Sequence, residues 1–421
     1  MSGRRGGKME LQKAKELVVL AGRQLVEAGL IARTWGNVSC RVSATRFVIT
    51  PSGRAYETLT PEEVVAVNLE DGSYEGEIKP SSEKGIHAEA YKHRPEVNFI
   101  IHTHQLNASM VSPLGLDVPV RDPAAAQIIG ERVPCARYGL PGTGKLKKAV
   151  AEALEQWKNS RAILMAYHGA LCLGRDYDEA FRVASELEKV CRDFVLHRYR
   201  EISGGEEVGE DQLRDYFVAK ASGKAVAGFP HFLYNSEREG DSFKLYIKAS
   251  EEEPFPGGEG DFIRCRLLEP GPGEEERFPE AEIHRRIYRR YKDIRAIRHG
   301  LAPDIVAVSR TGRELRPLLD DFAQLIGVSV RVAQNGGNPG SAEEIARKLK
   351  GRYAVLLRGN GALCCGPSRG DATAALMVME KGCKALIGTS LFGRVRPINF
   401  LESALMRFVY LTQYSKKAAA K

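Results

Sequence analysis

The chain repeats itself, and that limits the folds open to it. "HGALCLG" at 168–174 recurs as "NGALCCG" at 360–366, an offset of 192. "IHAEAYKHRPEVNFIIH" at 86–102 corresponds to "IHRRIYRRYKDIRAIRH" at 283–299, an offset of 197, and "RFVITPS" at 46–52 to "KLYIKAS" at 244–250, an offset of 198. Three matches in one order at nearly one spacing predict two copies of a single domain, which also suits 421 residues, too many for one ordinary core. The boundary falls near "REISGGEEVGED", 200–211, where glycine and acid replace an amphipathic helix. The first copy then spans 9–203 and the second 212–413, with flexible tails at 1–8 and 414–421.

Each copy mixes the two hydrophobic periods. "MELQKAKELVVLAGRQLVEAGL" places apolar residues at steps of three and four and stops at Gly29, a helix. "RFVIT" and "VVAVNL" read as strands, the latter followed by a "DG" turn and a further polar strand. A helix over 83–93, a strand over 97–103, a helix near 143–158, the strand "RAILMAY" and a long helix over 176–199 complete a mixed α/β layered unit. In the second copy "EEEPFPGGEGD" is a loop by composition.

The strand "FIIHTHQ" at 99–105 ends in His102 and His104, two residues apart and so on one face. His168 follows the strand "RAILMAY", and Glu83 opens the helix after "KPSS". A single histidine at a strand end is usually satisfied by a backbone carbonyl. An HxH pair with a third histidine and an acid, all at ends of elements, instead suits Zn²⁺ or another divalent transition metal, with a position left for substrate. "GNVS" at 36–39, "TPSG" at 50–53 and "KPSSE" at 79–83 read as turns whose amides and hydroxyls suit an oxyanion or phosphate, with Ser81 and Ser82 also able to cap the following helix.

These five motifs, in this order, resemble the class II aldolase/adducin family, which includes fuculose-phosphate aldolase and ribulose-phosphate 4-epimerase. The resemblance is specific over residues 9 to about 200 and reaches the rest through the repeat. It implies a three-layer α/β/α domain with a mixed central sheet, present twice in tandem. It also implies a zinc site of His102, His104 and His168, with Glu83 as a further ligand and as the catalytic acid or base. Gly36, Asn37, Ser52, Gly53, Ser81 and Ser82 would hold the substrate phosphate. The implied activity is that of a carbon–carbon lyase acting on a small phosphorylated ketose through a metal-stabilised enediolate. Glu83 stands where the epimerases usually have Asp, which favours the aldolase. Epimerase, dehydratase and non-catalytic adducin-like roles are the alternatives.

One departure concerns the proton donor. The fuculose-phosphate aldolases carry a tyrosine some twenty residues after the HxH pair, where this chain reads "PVRDPAAAQ", with Pro123 near that place and Asp122 as the candidate substitute. Tyr138 lies later and is expected to pack at a turn. In the second copy His299 and Glu280 match His102 and Glu83, but Leu301 and Asn360 replace His104 and His168, "SSE" becomes "FPE" and "GNVS" becomes "YNSE". One His and one Glu do not make a zinc site, so this copy is expected to be structural.

The formal net charge is +8, but acids are interleaved with bases and the short basic pieces are terminal, so a sugar phosphate rather than nucleic acid is the expected partner. No segment reaches the ~18–20 apolar residues that cross a bilayer, and "MSGRRGGKME" lacks an apolar core, so a cytoplasmic protein without a membrane partner is expected. The eight cysteines form no CxxC pair and are expected to stay reduced. By the resemblance, a homo-oligomer is expected, a dimer of tandem chains imitating a four-fold ring.

Overall fold

The computed structural model describes residues 9–31, 35–205, 208–221, 226, 233–248, 262–271, 278–334 and 339–414. The expected tails 1–8 and 414–421, apart from Tyr414, and the acidic insertion 251–261 lie outside these residues. The chain divides between Glu201 and Ile202 into two compact units.

In the first unit, helix α1 (Leu11–Glu27) buries Ala14, Val18, Val19, Ala21 and Leu25, and the chain leaves it through Gly29 in the left-handed region. Strands β1 (Asn37–Arg41), β2 (Arg46–Ile49) and β3 (Val65–Asn68) precede α2 (Lys84–His93), and β4 (Phe99–Thr103) follows it. Next come α3 (Leu106–Val111), β5 (Val118–Pro119), α4 (Pro123–Ile129), β6 (Arg132–Val133), β7 (Cys135–Ala136) and α5 (Gly144–Gln156). Strands β8 (Ala162–Met165) and β9 (Ala170–Gly174) lead into the long α6 (Tyr177–Ser203). Seven strands form one sheet in the order β3-β2-β1-β4-β9-β8-β7, antiparallel throughout except for the parallel β7–β8 pair, and β5 and β6 pair separately.

This is a mixed sheet between helical layers. Phe47, Ile49, Val67, Ile100, Met165 and Leu171 meet Ile86 and Tyr91 of α2 and Leu146 and Val150 of α5 on one face. On the other, α1 packs on β1 and β2, and Tyr177 of α6 reaches both Phe99 and Gln24. Covering both faces explains why β4, β8 and β9 are buried at every position.

The second unit repeats the plan. It contains α7 (Glu210–Ala219), β10 (Leu233–Glu239), β11 (Ser242–Lys248), β12 (Ile263–Arg266), α8 (Pro279–Arg290) and β13 (Ala296–Gly300). After these come α9 (Pro303–Thr311), α10 (Asp320–Leu325), β14 (Val332–Ala333), α11 (Pro339–Lys348), β15 (Ala354–Leu357), β16 (Ala362–Gly366), α12 (Arg369–Thr389) and α13 (Phe400–Val409). Its sheet runs β12-β11-β10-β13-β16-β15-β14, again with one parallel pair, β14–β15. The three-layer domain is therefore present twice.

Three details depart from the sequence reading. "GNVS" is not a turn, because Asn37, Val38 and Ser39 lie inside β1, all three paired to β4 and Ser39 also to β2. The polar strand after "DG" is reduced to an isolated bridge between Val67 and Tyr74. The repeat register also shifts. Ser39 pairs with Ile100 and Ser236 with Ile297, an offset of 197, so Tyr234 rather than Asn235 stands where Asn37 does. Arg41 pairs with Phe47 and Arg238 with Phe243, which sets β2 against β11 at an offset of 196 instead of 198. Phe47 and Phe243 then make the same ring contact, with Tyr91 at 5.4 Å and Tyr288 at 5.5 Å.

All eight cysteines are free. Among the described residues no helix is long and apolar enough to cross a membrane.

Candidate metal centre

The ends of four elements meet at one point. His102 lies on β4, and His104 follows the strand's last residue. His168 sits in the tight β8–β9 turn, after Tyr167, a non-glycine residue at φ 63°, with its N–H donating to Met165 O at 3.0 Å. Glu83 is the N-cap residue of α2. Two glycines permit this closeness: a Cβ on Gly36 would lie 2.4 Å from His102 O, and one on Gly169 would lie 2.2 Å from Thr103 O.

The ligand-type atoms of Glu83, His102, His104 and His168 all lie within 4.8 Å of one another. Glu83 Oε1 is 2.8 Å from His168 Nε2, Glu83 Oε2 is 3.2 Å from His102 Nε2, and the Nε2 atoms of His102 and His104 are 3.0 Å apart. His102 Nδ1–H donates to Ala170 O at 2.9 Å, which fixes the tautomer and leaves the Nε2 lone pair facing the cluster. Burial alone would raise the Glu83 carboxyl, but His168 and His102 beside it outweigh burial and hold it well below the usual carboxylate range.

A carboxylate and three imidazoles whose ligand-type atoms converge on one point suit a cation. These three separations, 2.8, 3.2 and 3.0 Å, are close to the ~3.3 Å edge expected for a tetrahedron with ~2.0–2.1 Å metal–nitrogen bonds. The residues therefore fit a divalent transition metal. Among the described residues no other group of His, Cys, Asp and Glu converges in this way.

The three polar motifs come together beside this cluster. Thr50 N–H donates to Val38 O, Ser81 N–H to Thr50 O and Ser52 N–H to Lys79 O, each at 3.0 Å, so the segments at 36–39, 50–53 and 79–83 lie side by side. Gly36 and Gly53 have φ of 85° and 72°, and Gly53 and Ser82 are exposed. Ser81 is buried, and its hydroxyl accepts from Glu83 N–H at 3.2 Å; no side chain caps α2 in the manner expected of Ser81 or Ser82. Asn37 donates its Nδ2–H to Glu83 Oε2 at 2.9 Å. Asp122, the proposed substitute acid, is engaged as the N-cap of α4, accepting from Ala124 and Ala125 N–H. The Tyr138 ring stands edge-on to Tyr167 at 5.4 Å.

Sequence reasoning missed His87. It is fully buried on α2, its Nδ1 lies 2.7 Å from Ser39 Oγ and its Nε2 meets Asn37 Oδ1. Burial lowers its pKa to about 3, helped by nearby His102. The signal was present: His87 and Tyr91, four residues apart on one helical face, recur as His284 and Tyr288.

In the second unit the corresponding residues make other contacts. His299 Nε2–H donates to Asn360 O at 2.9 Å, so that nitrogen is a donor there. Tyr234 stacks on His299 at 6.4 Å, and burial together with its bond to Glu280 raises the Tyr234 phenol to about 12.

The class II aldolase and adducin N-terminal domain model matches residues 16–195 and 259–387. The chain belongs to the class II aldolase/adducin family. It is 34% identical over 208 residues to a 5-deoxy-D-ribulose 1-phosphate aldolase of Bacillus thuringiensis serovar kurstaki, an overlap covering 49% of this chain and 95% of that one. It is also 34% identical over 187 residues to the L-fuculose phosphate aldolase of Escherichia coli K12, covering 44% of this chain and 85% of the relative. Among solved structures, an L-fuculose 1-phosphate aldolase aligns at 29% identity and a TM-score of 0.43, over 49% of this chain and 95% of its own.

Proposed function

We propose that the first copy, residues 9–203, is a metal-dependent aldolase that cleaves a small phosphorylated ketose, and that the second, 212–413, is a degenerate copy without a metal site. The observation that carries this reading is the convergence of Glu83, His102, His104 and His168 in a buried cluster of the right donor chemistry. His102, His104 and His168, with Glu83, would hold Zn²⁺ or another divalent transition metal, which when bound supplies Lewis-acid stabilisation of charge at a substrate carbonyl.

The remaining roles belong to the chain's own residues. Ser52, Gly53, Ser81 and Ser82 offer amides and hydroxyls to a phosphate group, with Gly36 and Asn37 beside them. Glu83, itself a member of the cluster, accepts the proton of the hydroxyl next to the scissile bond. The electron pair of the breaking carbon–carbon bond moves toward the carbonyl, the aldehyde leaves, and a proton is returned to the carbon that has gained the pair. The relatives' names make L-fuculose 1-phosphate and 5-deoxy-D-ribulose 1-phosphate the first substrates to test.

The experiment incubates zinc-loaded protein with each ketose phosphate and detects the released aldehyde. Aldehyde release that stops on chelation supports the reading. Epimerised or dehydrated product, or intact substrate across the panel, overturns it. We also propose a homo-oligomer of tandem chains, tested by light scattering: a dimer has twice the 46.4 kDa chain mass, whereas a monomer contradicts it.

A further inference from the structure

The buried polar groups behind Glu83 form a chain with one direction. Asn37 Nδ2–H donates to Glu83 Oε2 at 2.9 Å, so the amide turns its NH₂ toward the carboxyl group. Asn37 Oδ1 then faces His87 Nε2, which must carry the hydrogen. His87 Nδ1 is left as an acceptor for the Ser39 hydroxyl at 2.7 Å, and Ser39 Oγ in turn accepts from the Tyr91 hydroxyl at 2.8 Å. Every hydrogen points from Tyr91 through Ser39, His87 and Asn37 toward the carboxylate. Such aligned donors polarise one another in a site closed to water.

The second copy separates the two roles of this chain. Ser236 Oγ lies 2.6 Å from His284 Nδ1 and 2.7 Å from Tyr288 OH, so the Ser–His–Tyr anchor of helix to strand is intact in a copy whose described residues form no metal cluster. Tyr234 replaces Asn37, so the anchor no longer reaches an acid through an amide. The anchor is architectural in both copies. Only the first connects it to a candidate ligand.

We propose that His87 is a positioning residue: bonded to Ser39 at Nδ1 and to Asn37 at Nε2, it locks the Asn37 amide so that Glu83 is held and oriented against the three histidines. This rests on the reading of Glu83 as ligand and base. Without His87 the amide can rotate and present Oδ1 to the carboxylate, turning a hydrogen bond into a repulsion.

The test measures zinc affinity of the full chain by competition with a chromogenic chelator, which requires no turnover. His87→Leu is expected to weaken Zn²⁺ binding by roughly 10- to 100-fold, the usual effect of losing a group that orients a metal ligand, and Ser39→Ala by about 10-fold. His284→Leu and Ser236→Ala remove the same anchor from the second copy. They should shift thermal stability comparably and leave zinc affinity as in the unaltered chain. His87→Gln, which keeps a donor near the Nε2 position, should restore most of the affinity. Unchanged affinity in both His87→Leu and Ser39→Ala, or an equal loss in His284→Leu, overturns the proposal. Should His87→Leu fail to fold, the Ser39→Ala and Ser236→Ala pair decides alone. Absence of aldolase turnover in the unaltered chain refutes the proposed function and leaves this comparison readable.

Discussion

Acid should destabilise the second unit through His284, by an amount the structure sets. His284 is fully buried, with its Nδ1 hydrogen-bonded to Ser236 Oγ at 2.6 Å, and the Phe243 ring lies nearly parallel at 6.5 Å. Burial lowers its pKa from 6.5 to about 3, with His299 adding to the effect. The folded form therefore keeps this ring neutral while the unfolded chain protonates it below pH 6.5. The contribution is fully present above pH 6.5 and is lost as pH falls toward 3. Each pH unit in that window costs about 1.4 kcal/mol, so moving from pH 7 to pH 5 removes roughly 2 kcal/mol from this unit. For a unit of this size that lowers the melting temperature by about 4–8 °C. Calorimetry of the full chain at the two pH values, alongside His284→Gln, isolates the effect because carboxylates titrate equally in both proteins. The variant should be less stable at pH 7 and should lose less on acidification. An identical pH dependence in both proteins would refute the argument that His284 is held neutral by burial.

Glu83→Gln should lower turnover by ~10² to 10⁴, the range for a positioned acid or base, while the three histidines retain much of the metal; steady-state kinetics with metal analysis would remove Glu83 from the mechanism if turnover stayed near normal. Gly169→Ala places a Cβ 2.2 Å from Thr103 O, so the β8–β9 turn that carries His168 must separate from β4. We expect zinc affinity to fall at least ~10-fold in chelator competition, and unchanged binding would show that the β8–β9 turn can yield without moving the ligand.

The duplication and the histidine pair were legible for a simple reason. "HTH" follows an apolar run that can only be a buried strand, and both "HG" and its counterpart "NG" must place glycine against the neighbouring strand, since a Cβ on Gly361 would lie 2.1 Å from Gly300 O. β1 was hidden because Gly36, Asn37 and Ser39 have turn composition, and their place in the sheet is set by partners distant in sequence, Glu83, His87 and His102. The two-residue error in matching β2 to β11 arose because such a slip keeps inward and outward positions in step, so the hydrophobic pattern alone does not reveal it. Pairing to β1 and β10 and the Phe47–Tyr91 and Phe243–Tyr288 contacts resolve it. The orientation of the Asn37 amide was beyond sequence reasoning, because it depends on which of its neighbours can donate.

Metal stoichiometry tests the central claim most directly. After exposure to excess Zn²⁺ and removal of loosely bound ions, elemental analysis should find one ion per chain in the unaltered protein and in His299→Ala, and essentially none in His104→Ala. Two ions per chain, or an ion that persists in His104→Ala, would contradict a single metal centre built from Glu83, His102, His104 and His168.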